Sequence, residues 1–321
     1  MRPRCGIAAY VGALAVCLGA SAGVAAAQAM PAPARTADVV TASPAPEEAT
    51  GPTESLKMTE DPSSRLTLPV MVNGRGPYDF LVDTGSDRSV ISRELAVTLA
   101  LTPGPEVRLH QSTGVDVVKT VVIDRLAVGS RSINHVEAPA LAARDLGAAG
   151  LLGIDALRDL HIVMDFQTMR MLSAPSRPEP FDPRTIVVHG RSRFGQLILV
   201  NAAVRGVPVY VVLDSGSQLS VGNPALLKLL TGHSVGADPP KTTQLITVTG
   251  RRETVELDAI EEANVGGIVI HNMTLAFAPL PIFARFGLAR QPAMLLGMDV
   301  LSQCLRVSVD IHRREATFTL R

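Results

Sequence analysis

From Arg65 onward, short apolar runs recur along the chain, broken every few residues by Gly, Pro or Asn. The segment Arg65-Leu66-Thr67-Leu68-Pro69-Val70 alternates polar and apolar positions, the period of a strand with one buried face. Strand-like runs follow at Pro77–Val82, Ser89–Ile91, Val117–Ile123 and Ile162–Met164. A Pro-rich stretch from Ser173 to Arg184 interrupts the pattern and reads as an interdomain connection. The runs then resume at Gln196–Val200, Val207–Leu213, Thr254–Leu257, Ile268–Ile270, Arg306–Val309 and Ala316–Leu320. Their richness in Val, Ile, Leu and Thr favours strands over helices.

The chain ahead of Arg65 has a different character. Arg2 and Arg4 precede an apolar run from Ile7 to Ala27, which ends in small residues with cleavage options after Ala27 or Ala29. This is the pattern of an export signal, expected over residues 1–29, and it implies a periplasmic protein with no stable membrane insertion after cleavage. A retained anchor or lipid attachment at Cys17 is the lesser alternative; Val16 stands where a lipid-attachment motif wants a small residue. Residues 30–62 are rich in Pro, Ala, Thr, Ser and Glu without an apolar period, and are expected to form a disordered linker.

Composition narrows the function classes. Lys+Arg and Asp+Glu both number 30, so a zero net charge offers no electrostatic reason to expect a nucleic-acid partner. The 321 residues suffice for two domains. Only Cys304 lies outside the leader, which excludes an internal disulfide and a cysteine metal site from the mature chain. The His residues lack metal-ligand spacing, no G-x-S-x-G motif or phosphate loop is present, and neither metal nor cofactor is expected.

The two halves of the chain resemble each other. Pro77-Tyr78-Asp79-Phe80-Leu81-Val82-Asp83-Thr84-Gly85-Ser86 aligns without a gap on Pro208-Val209-Tyr210-Val211-Val212-Leu213-Asp214-Ser215-Gly216-Ser217. Farther on, Gly150-Leu151-Leu152-Gly153-Ile154-Asp155 aligns on Met294-Leu295-Leu296-Gly297-Met298-Asp299. Each copy then closes on a strand-like segment holding an Asp, at Asp165 and at Asp310. A fixed internal repeat constrains the whole architecture.

Each copy drives an apolar strand into a carboxylate, which is costly unless that group is paired or hydrogen-bonded. The Gly two residues later permits a tight turn and a close backbone approach. Two such loops meeting about a pseudo-twofold axis would place Asp83 beside Asp214. Carboxylates about 3 Å apart cannot both ionise, so they share a proton and divide the roles of base and acid. Such a pair can activate water against a peptide carbonyl and protonate the departing nitrogen.

The doubled hydrophobic-hydrophobic-Asp-[Thr/Ser]-Gly-Ser, each followed by Leu-Leu-Gly-x-Asp, resembles the retropepsin-like aspartic peptidases, including exported bacterial members. The likeness runs from about Arg65 to Arg321. It implies an all-β fold of two tandem closed β-barrel lobes forming a bilobal, pepsin-like pseudo-dimer, with short helices after each Leu-Leu-Gly. The expected boundaries are 63–172 for the first lobe, 173–184 for the connection and 185–321 for the second. The resemblance makes Asp83 and Asp214 catalytic and gives Thr84 and Ser215 a hydroxyl brace beneath them. Gly85 and Gly216 complete the turns, and Leu152-Gly153 and Leu296-Gly297 fall on a core strand behind them. At Asp87 many retropepsins carry an Asp that bonds the substrate backbone; the second copy has Gln218.

Ser86 and Ser217 have two readings. A hydroxyl donated to the carboxylate would lower the pair's pKa and give an acidic optimum; plain turn chemistry is the other. Asp155 and Asp299 read as helix caps. Hairpins are expected around Thr113-Gly114 and Thr249-Gly250, placed to close over a substrate as flaps. The expected partner is a peptide or protein substrate, held by a monomer. Two rivals stand beside this: a silent peptide-binding module on the same scaffold, and a homodimer with intermolecular sites.

Overall fold

The computed structural model describes residues 8–11, 15–17, 53–111, 114–157, 161–177, 182–194, 196–231 and 241–321. Of the expected leader and linker, residues 1–7, 12–14 and 18–52 lie outside the described residues. The chain is built mainly of strands joined by a few short helices. No helix among the described residues is long and apolar enough to cross a membrane.

The first half opens its barrel with Leu66–Val72, which pairs antiparallel with Arg75–Val82. Between them Asn73 and Gly74 both take positive φ, the backbone that a two-residue hairpin turn requires. The corresponding turn of the second half, Arg205–Gly206, does the same. Strand Gly150–Leu152 pairs parallel with Phe80–Val82, and Val90–Ser92 joins its other side. A long hairpin, Thr102–Gln111 and Gly114–Val128, is followed by Arg131–Leu141. Pairing of Gly114–Val128 with Leu66–Val72 closes the ring. Leu66, Leu68, Val70 and Val72 point inward with 0% exposure, so the alternation seen in the sequence is the inner face of this barrel.

The second half repeats this order. Gln196–Leu199 and Ala202–Val204 take the place of the first strand, and Tyr210–Leu213 leads to the loop at Asp214. Strand Ala293–Leu296 pairs parallel with Tyr210–Leu213. The hairpin is Lys241–Thr247 and Arg252–Val265, followed by Ile268–Phe277, and Ala202–Val204 closes on Arg252–Val265.

One antiparallel sheet joins the halves. Its strands run in the order Glu54–Lys57, Arg170–Ala174, His161–Asp165, Arg306–Asp310, Glu315–Thr319, Thr185–Arg193. At its centre Val163 faces Ser308, with His161 opposite Asp310 and Asp165 opposite Arg306. These two strands close the two copies of the repeat. Their antiparallel pairing about a single central pair is what a twofold axis through that point demands. Asp165 accepts from Gln167 and Thr168 N–H groups and Asp310 from Arg313, so both serve the turns that follow.

Two boundaries differ from those expected. Glu54–Lys57 and Thr59–Glu60 are strands within the stretch expected to be disordered, and Met58 between them is 1% exposed. Glu54–Lys57 is the edge of the joining sheet, so one face stays solvated and the segment needs few apolar residues. Ser173 and Ala174 likewise finish a strand, so the connection begins after Ala174. Pieces of the expected leader are also strands: Ala8–Val11 pairs with Lys241–Thr247, and Ala15–Cys17 with Thr102–Gln111.

Candidate active site

Asp83 and Asp214 sit where the two barrels meet, at the ends of their apolar strands. The N–H of each donates to the last Leu of the parallel Leu-Leu strand: Asp83 to Leu152 O and Asp214 to Leu296 O, both at 3.0 Å. Each carboxyl then accepts, through Oδ1, the N–H of its own loop glycine, Gly85 at 2.8 Å and Gly216 at 3.0 Å. Both aspartates are 0% exposed.

The loops touch through these glycines. A Cβ on Gly85 would lie 2.6 Å from Asp214 Oδ1, and one on Gly216 the same distance from Asp83 Oδ1. Only a residue without a side chain lets each loop approach the opposite carboxyl so closely. Oδ2 of both aspartates is buried with no donor aimed at it.

Beneath the pair, Thr84 and Ser215 interlock. Thr84 Oγ1 donates to Leu213 O at 3.0 Å and accepts Ser215 N–H at 3.1 Å. In mirror fashion Ser215 Oγ donates to Val82 O at 2.8 Å and accepts Thr84 N–H at 3.2 Å. Each half thus ties down the backbone of the other. A further cross-tie was not foreseen: Gln196 Nε2 donates to Thr84 O at 2.8 Å. The position 131 residues earlier holds Arg65, buried and paired with Asp61. Nothing in the local pattern marks either residue.

Electrostatics follow from burial. Desolvation holds Asp83 well above the usual carboxylate range, the negative charge of Asp214 pushes it further, and the Gly85 N–H partly offsets both. Desolvation also raises Asp214, against the opposing pull of its hydrogen bonds and of the Arg65 charge. The two titrations belong to the pair.

The hydroxyls of Ser86 and Ser217 take neither the carboxylate role nor its pKa consequence. Ser86 Oγ donates to Arg88 O and Ser217 Oγ to Leu219 O, so each closes its own loop. Turn chemistry is therefore the correct one of the two readings, and the pair is raised by burial. Asp155 and Asp299 are also placed differently. Each lies inside its short helix, Ile154–Leu157 or Met298–Leu301. Each carboxylate accepts from the backbone and hydroxyl of a loop serine, Ser89 or Ser220. Those serines in turn accept the N–H of Gly153 and Gly297. A Cβ on Gly153 would lie 2.5 Å from the carbonyl carbon of Arg88, which is why the Leu-Leu motif ends in glycine.

Asp87, the candidate for substrate-backbone contact, forms an ion pair across the halves with Arg285. That arginine ends the helix Pro281–Arg285 and lies 4.6 Å above the ring of Phe194. The counterpart Gln218 has a buried Oε1 without a hydrogen-bond partner. The two halves are unequal at this position because the segment between Phe277 and Ala293 is longer than its equivalent between Leu141 and Gly150 and carries the arginine.

Of the hairpin residues, Thr113 lies outside the described residues, and Gly114 begins the returning strand opposite Gln111. In the second hairpin Gly250 has φ +79° and donates to Thr247 O at 2.8 Å, closing a tight tip. Thr249 Oγ1 lies 3.4 Å from Asp116 Oδ2, and Arg251 pairs with the same carboxylate, so the second tip rests on the first hairpin.

A family model described as aspartyl protease matches residues 68–156 and 200–300. Each stretch contains one Asp-[Thr/Ser]-Gly and one Leu-Leu-Gly, and together they cover more than half of the chain. No curated protein matches it. The chain belongs to the aspartyl protease family.

Proposed function

We propose that this member of the aspartyl protease family is an endopeptidase whose single site is shared by Asp83 and Asp214. The observation that carries the reading is the mutual contact of each carboxyl with the other loop's glycine, which leaves two buried Oδ2 atoms together without a donor. One proton on the pair leaves one carboxylate and one acid. The carboxylate takes a proton from a water as its oxygen attacks the peptide carbonyl carbon, and the acid protonates the carbonyl oxygen. Collapse of the tetrahedral adduct then breaks the C–N bond, with a proton returned to the leaving nitrogen. The Thr84–Ser215 brace holds the geometry, so little reorganisation accompanies reaction.

Both carboxyls come from one chain, so a monomer suffices for this chemistry. The test is a peptide-library digest by wild type, Asp83→Asn and Asp214→Asn, with and without pepstatin. Wild type cleaves and is inhibited, and each single variant loses cleavage by at least about 10³-fold. Residual activity near wild type in either variant would falsify the shared site. Binding of peptides without cleavage by wild type favours the silent binding module.

A further inference from the structure

Gln196 begins the strand Gln196–Leu199, whose pairs Ile198–Val212 and Leu199–Val211 put Gln196 opposite Asp214 when the register is continued. Its backbone thus belongs to the second half, beside one aspartate. Its side chain crosses to the loop of the other, where Nε2 donates to Thr84 O at 2.8 Å. Arg65, the equivalent residue of the first half, does not return the contact; its guanidinium donates to Asp61 and to Leu146 O. From this position only the Asp83 loop is tied.

The tie ends on the peptide unit that serves the aspartate. Thr84 C=O and Gly85 N–H belong to one planar group and point in opposite directions. That N–H is the donor to Asp83 Oδ1, at 2.8 Å. A donor on the carbonyl side fixes the tilt of the peptide plane and polarises its N–H, since hydrogen bonds in a chain strengthen one another. The N–H and Oγ1 of Thr84 are engaged with Ser215 and Leu213, so Gln196 completes the polar partners of that residue.

Stability does not explain the choice of an amide. Gln196 is 2% exposed, and its Oε1 is buried with no hydrogen-bond partner among the described residues. It borders a small cavity between the halves whose other walls include Ile154, Leu157, Leu197, Leu213 and Val309. An apolar side chain of similar length would fill that place without an unsatisfied oxygen. What it would lack is the donor to Thr84 O.

We propose that Gln196 is a positioning residue for the aspartate pair: by holding Thr84 C=O it aims the Gly85 N–H at Asp83, and it does so for one loop of the two. This rests on the peptidase reading and deepens it. Gln196 is buried and acts through Thr84, so it affects turnover and not substrate binding.

The experiment compares wild type, Gln196→Met and Gln196→Glu. Methionine keeps the shape and removes the donor: kcat falls about tenfold to 100-fold with KM within about twofold of wild type, and the unfolding temperature is no lower. A protonated glutamate can donate to Thr84 O and an ionised one cannot. The charged groups that act there are the aspartate pair and Arg65, while the cavity walls among the described residues carry none. Gln196→Glu therefore turns over at close to the wild-type rate at about pH 4 and drops toward the Met variant as its carboxyl ionises. A second readout needs no activity: in protein labelled with nitrogen-15 glycine, the Gly85 amide proton moves upfield in Gln196→Met and the Gly216 amide proton does not. Unchanged kcat in the Met variant, equal impairment of the Met and Glu variants at acid pH, or an unmoved Gly85 resonance overturns the inference. Should the Met variant not fold, the pH dependence of the Glu variant and its Gly85 resonance decide. A wild type that cleaves no peptide, with the Gly85 resonance moving as stated, sinks the peptidase reading alone.

Discussion

The brace beneath the aspartates can be weighed by removing one hydroxyl. Thr84→Ala deletes the donor to Leu213 O and the acceptor of Ser215 N–H, bonds of 3.0 and 3.1 Å. The site is buried, with Ser215 0% exposed and Thr84 7% exposed, so water does not readily replace them. Leaving a buried polar group unsatisfied costs about 1–3 kcal/mol, so two give a loss of about 2–6 kcal/mol. Thr84→Ser keeps the hydroxyl and costs under about 1 kcal/mol. Ser215→Ala breaks the mirror pair to Val82 O and Thr84 N–H and costs about the same as Thr84→Ala. Urea unfolding monitored by circular dichroism reads the loss as a shift in midpoint at constant slope. Cleavage should fall more steeply than stability, because the brace spaces the two carboxyls. A loss below about 0.5 kcal/mol for Thr84→Ala, or equal damage from the Ser variant, would show that the hydroxyl does not tie the halves together.

Two further outcomes follow from the same geometry. A carboxyl raised in the folded chain binds its proton more tightly there than when unfolded, so the stability it contributes is complete below about pH 4. That contribution is lost as pH rises through the folded value, about 6 for Asp214. Asp214→Asn should therefore gain stability relative to wild type between pH 4 and pH 7, and parallel urea midpoints across that range would refute the raised pKa. Gly153→Ala forces a Cβ against the Arg88 backbone and should cost at least about 2 kcal/mol. Gly74→Ala, with open space around it and only a positive φ to strain, should cost about 1 kcal/mol in thermal unfolding; equal costs would show that the close approach is not the reason for Gly153.

Much of the site was legible because its parts are local and doubled. The strand into Asp83 and its copy into Asp214 carry their own signature, and the glycines that follow announce a close approach. Alternation at Arg65–Val70 likewise predicted a strand with one buried face, and the structure forms it as Leu66–Val72. Other features were hidden because their signal is weak where it occurs. Glu54–Lys57 looks like linker because a sheet edge needs few apolar residues. Ser86 and Ser217 are equally suited to a carboxylate and to a carbonyl of their own turn, and only the backbone path decided between them.

The sequence by itself determined the pair of aspartates, the hydroxyls beside them and the repeated order of strands, since each follows from residue type and spacing within a few positions. Tertiary structure alone decided the ion pair of Asp87 with Arg285, the reach of Gln196 to Thr84 and the raised pKa values of the buried pair. Those contacts join segments far apart along the chain, and the charge effects depend on how completely the assembled barrels exclude water. Neither quantity is written in any local pattern of residues.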